Sequence, residues 1–371
     1  MVNYQRLIVV LLVGFLPFFI SCNDDDDNYV PIVPTVALES PVILDLTQVP
    51  YAKLSDYKFF EGVIKNLTPS YGVIPYKPTS ELFTDYAIKK RFIWLPKGAK
   101  ATYNGDGNVL NLPVGAALIK NFYYNNVQPN NSTKIIETRV MIRKSDGWIF
   151  AEYVWDSQQS DAFLQTDGST TPVSWKDENN IIQTIDYKIP STTLDCKRCH
   201  GVNNLTEVLP IGIKPQNLNS NYSYSEGTKN QLNKLIEFGY LENNLPASIV
   251  SVVDYKDTTQ SLNLRVRSYF DSNCSHCHVT GGEADHFNLR FSFNQTTTPL
   301  YMGVCLTAEH SVVGYRDRIV YIGDYTQSIL HYRVNTTTDT NFMMPPLGRT
   351  IKHKEGVRLI EEWINSLTTC D

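Results

Sequence analysis

Ala117-Leu118-Ile119-Lys120-Asn121-Phe122-Tyr123-Tyr124 is the stretch on which the fold class turns. It is rich in aromatic and branched apolar residues, which suit a pleated, half-buried surface. Similar β-favouring runs flank it: Arg91-Phe92-Ile93-Trp94-Leu95, Ile135 to Ile142, and Trp148 to Trp155. Turn signals such as Asn104-Gly105-Asp106-Gly107 and Ser145-Asp146-Gly147 separate them. Residues 51–190 therefore read as a β-rich domain, an antiparallel sandwich or barrel.

Downstream the pattern changes. Asn230 to Phe238 carries Leu232, Leu235 and Ile236 at helical spacing, with Gly239 as a C-terminal stop. Ser261 to Asn273 predicts a helix, and Val357, Ile360, Ile364 and Leu367 mark the inner face of a last helix containing Trp363. Helices are expected to dominate this half.

The chain has 371 residues and a net charge of -5, with no basic face for a nucleic-acid backbone. Nucleic acid is not an expected partner. Upstream, Ile8 to Ile20 is apolar but short for a bilayer span, so residues 1–21 read as a secretory signal. It ends in Ser21-Cys22, which resembles a bacterial lipobox, and lipidation of Cys22 would hold the protein at a membrane surface. Asp24 to Asp27 follow, then a proline- and valine-rich stretch, so 22–50 reads as an acidic, extended tether. Acidic residues directly after the lipidated cysteine resemble those of Bacteroidetes lipoproteins. That resemblance implies the outer membrane, on its periplasmic or cell-surface face.

Seven cysteines fall into three groups. Cys22 is one. Cys196-Lys197-Arg198-Cys199-His200 and Cys274-Ser275-His276-Cys277-His278 form the second, two CxxCH motifs. Thioether attachment of two haem vinyl groups needs thiols about one helical turn apart, and the adjoining histidine then faces the iron as proximal ligand. The spacing predicts two covalently bound haems c, with His200 and His278 on the metals. A shared zinc site or a redox dithiol is the competing reading; more than about seventy residues part the pairs, and zinc ligand pairs usually lie closer. For Cys305 and Cys370 two readings stay open: a disulfide pinning the last helix to the loop region, or two separate thiols.

The order helix, CxxCH, long loop, Met343-Met344-Pro345-Pro346 and closing amphipathic helix over 251–371 resembles a class I cytochrome c domain. The resemblance implies Met344 as the second haem's distal ligand, with Met343 as its alternate. His276, His286, His310, His331 and His353 read as surface or hydrogen-bonding residues. The first haem segment, 191–250, supplies no methionine or further histidine after His200, so its distal ligand comes from elsewhere or is absent. A β-region followed by CxxCH resembles the β-sheet relatives of cytochrome c prime, whose open distal face takes small ligands. Leu112 to Lys120 is similar to one of their segments, which makes Lys120 a haem-contacting candidate beside the plain reading of a strand lysine facing solvent; Met141 is a further distal candidate.

Over most of its length the chain resembles a bacterial family of di-haem c-type cytochromes often encoded beside parallel β-helix repeat proteins. The phrases Phe59-Phe60-Glu61-Gly62, Leu82-Phe83-Thr84-Asp85-Tyr86, Cys199-His200-Gly201-Val202-Asn203 and Met344-Pro345-Pro346-Leu347-Gly348-Arg349 carry it. It implies an α+β multidomain architecture in which the β-sandwich or barrel precedes a mainly α-helical, cytochrome c-like haem region. The functional expectation is haem binding and electron transfer outside the cytoplasm, to a redox partner protein, with a β-helix repeat protein as a further partner. The alternative is a haem enzyme or binder of nitrogen oxide or peroxide-type ligands at an open first haem.

Overall fold

Strands β1 (Ile74–Tyr76), β2 (Ile88–Trp94), β3 (Ala117–Val127), β4 (Ser132–Lys144), β5 (Gly147–Trp155) and β6 (Ala162–Gln165) lie side by side in chain order, all antiparallel. The computed structural model describes residues 38–371. Cys22 and most of the acidic tether lie outside the described residues. A hairpin of β7 (Ser169–Lys176) and β8 (Ile182–Ile189) joins the end of β3 through Val127 and Trp175, completing eight strands. The strands expected from sequence are thus present. Their closure is not: they form one branched antiparallel sheet in place of a sandwich or barrel.

Period-two alternation sends the sheet's two faces into different cores. Phe92, Trp94, Ile119, Val140, Ile142 and Tyr153 pack on one side against Leu54, Tyr57 and Phe59 from the segment before β1. Ile93, Leu95, Leu118, Met141 and Trp148 pack on the other, against Ile213, Leu218, Leu232 and Leu235. The second face is the one turned toward the first CxxCH motif.

Helices α1 (Cys196–His200), α2 (Pro215–Leu218), α3 (Gln231–Glu237), α4 (Leu262–Asn273), α5 (Ile329–Asn335) and α6 (Lys354–Ser366) are the six α-helices among the described residues. Asn230 caps α3 by accepting from the Leu232 and Asn233 amides, and Gly239, at φ +84°, ends it as anticipated. Ser261 caps α4 through the Leu264 amide. Helix α6 packs on α4, with Trp363 edge-on to Phe270 at 5.7 Å and Val357, Ile360 and Ile364 buried.

The expected mainly α-helical haem region requires correction. Between α4 and α5 the chain runs in turns, bends and two one-turn 3-10 segments, and β structure predominates in the molecule as a whole. The local reason is composition: Gly281-Gly282, Asn288, Asn294 and Thr296-Thr297-Thr298-Pro299 favour turns over helix, and no apolar stripe at helical period overrides them. Residues Glu39–Asp371 constitute one compact unit. No helix among the described residues is long and apolar enough to cross a membrane.

Cys305 and Cys370 are bridged, with Cα atoms 5.7 Å apart across 65 residues of sequence. The bridge ties the segment after α6 to the turn-rich region, which has little regular hydrogen bonding of its own. Replacing both cysteines by serine should lower the unfolding free energy by about 2–4 kcal/mol, through the closure entropy of a long loop. Urea denaturation of the double variant measures it.

Candidate functional site: two CxxCH motifs around one contact

The two CxxCH motifs, remote in sequence, meet in space. The Sγ atoms of Cys199 and Cys277 and a ring nitrogen of His276 lie within 4.8 Å of one another. Their loops interlock. Arg198 donates to Glu283 at 2.7 Å, the Asn204 amide donates to the Gly281 carbonyl at 3.0 Å, and Cys277 Sγ approaches the Arg198 carbonyl at 3.5 Å. Gly281 is required there: at φ +78° a Cβ would stand 2.7 Å from the Asn203 amide nitrogen. The thiol contact holds a proton toward Cys277 and favours thiolate at Cys199, while burial pushes Cys196 and Cys274 up to about 12.

Each motif histidine faces its own cavity. His278 lines one together with Cys274, Cys277, Phe287, Phe291, Leu330 and Met344. His200 lines another together with Cys199, Arg91, Lys120, Val202 and Leu209. Helix α4 stands between them, giving Tyr269 and Asn273 to the first and Asp271 and Ser272 to the second. His276 lines both.

The His200 ring is oriented by a defined bond. Its Nδ1 lies 2.8 Å from the Leu209 carbonyl, which can only accept, so Nδ1 carries the proton and Nε2 keeps its lone pair. Phe150 of β5 packs edge-on against the ring at 5.1 Å. His278 has a buried, unpartnered Nδ1 and Phe291 edge-on at 5.2 Å. Burial pushes both imidazoles down to about 4, so both are neutral donors at neutral pH.

The sequence candidates divide cleanly. Met344 lines the His278 cavity, whereas Met343 is buried without lining it. Lys120 lines the His200 cavity, and burial with the neighbouring Arg91 and Arg139 drives its amine well below the ordinary lysine range. Met141 packs with Leu118 and Trp148 in the sheet core and is not among that cavity's lining residues. His286 stacks on Phe287, His331 bonds Glu361 at 2.8 Å, and His310 and His353 line the Met344 cavity. His276, expected to point outward, sits at the junction of the two motifs. Cys196 and Cys274 lie outside the Cys199–His276–Cys277 group, so the four thiols do not converge on one tetrahedral site.

No family model, curated protein or solved structure matches this chain. The site therefore rests on its own chemistry. Residues that carry it and were not singled out from sequence include the Leu209 carbonyl and Phe150; neither has a local sequence signal, because each acts through a contact made only on folding.

One further charged group adjoins the His200 cavity. Register places Arg91, Lys120, Arg139 and Glu152 in a row across β2 to β5. Arg139 pairs with Glu137 at 2.5 Å and with Glu152 at 3.1 Å, and Tyr187 donates to Glu137 at 2.6 Å. Glu137 and Glu152 are fully buried, and burial, then the Glu137 charge, holds the Glu152 carboxyl well above its usual range. A carboxyl raised on folding contributes stability below the ordinary carboxylate range that is lost as pH rises through its folded value. Glu152→Gln should therefore gain stability relative to the parent between pH 5 and pH 8, read as the difference in urea midpoints. Gly281→Ala should cost about 1–3 kcal/mol, from backbone strain plus separation of the motif loops. Thermal unfolding checks it, with Gly314→Ala as the comparison, since Gly314 has φ +86° but open space where its Cβ would stand.

Proposed function

We propose that this chain is an exported di-haem c-type cytochrome that transfers electrons outside the cytoplasm. Cys196, Cys199 and His200 would hold one haem, and Cys274, Cys277 and His278 the other, with Met344 of the same cavity as a further ligand. The observation that carries this reading is the meeting of the two motifs at His276, with each motif histidine lining a separate cavity beside its own cysteines. A zinc knuckle or a dithiol needs no such chambers. Two planar cofactors, each fixed by a pair of thiols and an imidazole, do.

Haem supplies a reversible one-electron iron couple. The chain's own residues supply the rest. The Leu209 carbonyl fixes the His200 tautomer, and neutral imidazoles present lone pairs to metal. The apolar walls around Met344, and its thioether, favour the less charged ferrous state and so a high potential. His276 and the Cys199–Cys277 contact occupy the space between the two cavities.

Lipidation at Cys22 would tether this unit to the outer membrane, at its periplasmic or cell-surface face, where a redox protein is the partner and a β-helix repeat protein a further candidate. A second reading has its own support: the His200 cavity is walled by Lys120 and Arg91, with no thioether among its lining residues. A first haem left open there would bind a nitrogen oxide or peroxide-type ligand.

Intact mass and pyridine-haemochrome analysis of protein made with a haem-maturation system test the main reading. Two covalent haems and no response to carbon monoxide support the electron carrier; one responsive iron moves the function to the His200 cavity; zinc with no haem overturns both. In the holoprotein, Met344→Ala should keep both haems and lower one potential or open one iron to carbon monoxide. Unchanged spectra and potentials would remove Met344 from the ligand set.

A further inference from the structure

Arg349 is 6% exposed and lines the His278–Met344 cavity, yet half of its guanidinium has nothing to bond. Nη2 donates to the Thr336 carbonyl at 2.9 Å and the Arg333 carbonyl at 3.2 Å, while Nε and Nη1 are buried and unpartnered. An uncompensated buried cation costs several kcal/mol, and a guanidinium fork matches a carboxylate. Arg333 lines the same cavity, its guanidinium over the Phe342 ring at 5.0 Å and without an ion pair among the described residues. The only carboxylate among the lining residues is Glu309, and neither arginine pairs with it.

Arg349 is also held rigidly. Tyr124 of β3 donates to the Asp85 carbonyl at 2.7 Å. The Asp85 carboxylate accepts from the Thr350 amide at 2.7 Å, the Thr350 hydroxyl at 2.9 Å and the Ile351 amide at 3.0 Å. Asp85 and Tyr86 both adopt left-handed backbone, at φ 44° and 60°, a cost that the clamp sustains. Asp85 therefore spends its oxygens on the following loop and leaves the guanidinium free to face the cavity.

We infer that Arg349, supported by Arg333, is a built carboxylate site that anchors the acidic side groups of the cofactor in the His278–Met344 cavity and sets its potential. This rests on the di-haem reading above. Haem carries two propionates, and a pair of arginines without ion-pair partners among the described residues, in a mostly apolar chamber, matches them. A fixed cation beside them opposes their negative charge, which favours the reduced iron; Arg349 is a positioning residue that acts through the cofactor's periphery.

The test uses the holoprotein with Arg349→Gln and Arg349→Lys. Both variants should retain two haems by mass. Arg349→Gln should shift the reduction equilibrium of one haem about tenfold toward the oxidised form, about 59 mV for one electron, and leave the other in place. Propionate-bending bands in the resonance Raman spectrum should move with it, and the lysine variant should recover most of the potential. Two haems with both potentials and the Raman bands unchanged would overturn the assignment. If Arg349→Gln does not fold, Arg333→Gln takes its place, with a one-haem shift expected and none overturning it. A wild-type potential that moves with added acetate would assign the site to a carboxylate from solution and also overturn it. Wild-type protein without haem would instead sink the parent reading, a result separable by mass alone.

Discussion

Two loops that carry reactive sulfur have to be held in contact, and most of the molecule is arranged around that constraint. The Cys199–His276–Cys277 contact needs glycine at 281, the Arg198–Glu283 pair at its rim, and α4 delivered at a fixed angle. Helix α4 gets its angle from α6, through Phe270 and Trp363, and from the Asn273 side chain, which accepts from the Phe83 amide at 2.8 Å. The other motif is fixed from below, where Phe150 of the sheet meets His200. The sheet is thus a platform for one motif and, through the segment around Asp85, a brace for the other.

Electrostatics follow the same division. The His278 cavity is apolar apart from its arginines and a few polar groups, and the His200 cavity is bordered by a charged row of strand side chains. Two metals placed there would experience different surroundings although their attachment motifs are alike. A buried Glu137–Arg139–Glu152 cluster beside one of them, with oxygens that no donor reaches, is expensive to maintain and leaves that side of the molecule sensitive to proton concentration.

What sequence revealed was what is local. β-Favouring runs and turn residues located β2 to β5, with ends displaced by up to three residues, and Asn230, Ser261 and Gly239 marked helix ends because capping is a nearest-neighbour matter. The CxxCH pairs were legible because their chemistry is set by four consecutive spacings. Sheet closure was not, since it depends on how strand edges meet, and β7–β8 joined the end of β3 without completing a second layer. The expectation that helices dominate the C-terminal part extended real helical spacing at α3, α4 and α6 across an intervening composition of glycine, asparagine and threonine that favours turns. The separation of the motifs argued against a shared site; folding brings Cys199, His276 and Cys277 together but leaves Cys196 and Cys274 outside the group. The phrases around Asp85 and Arg349 were noticed separately, but their meeting is a contact between residues 265 apart at Thr350 that no local pattern encodes.

Helix α4 lends Tyr269 and Asn273 to one cavity and Asp271 and Ser272 to the other. The two chambers accordingly share a wall that is one rigid rod. A small roll of that rod about its axis would advance one set of side chains and withdraw the other, so that crowding in one chamber is relieved at the expense of its neighbour. Whatever occupies either space is in mechanical conversation with the opposite one, even when no atom passes between them.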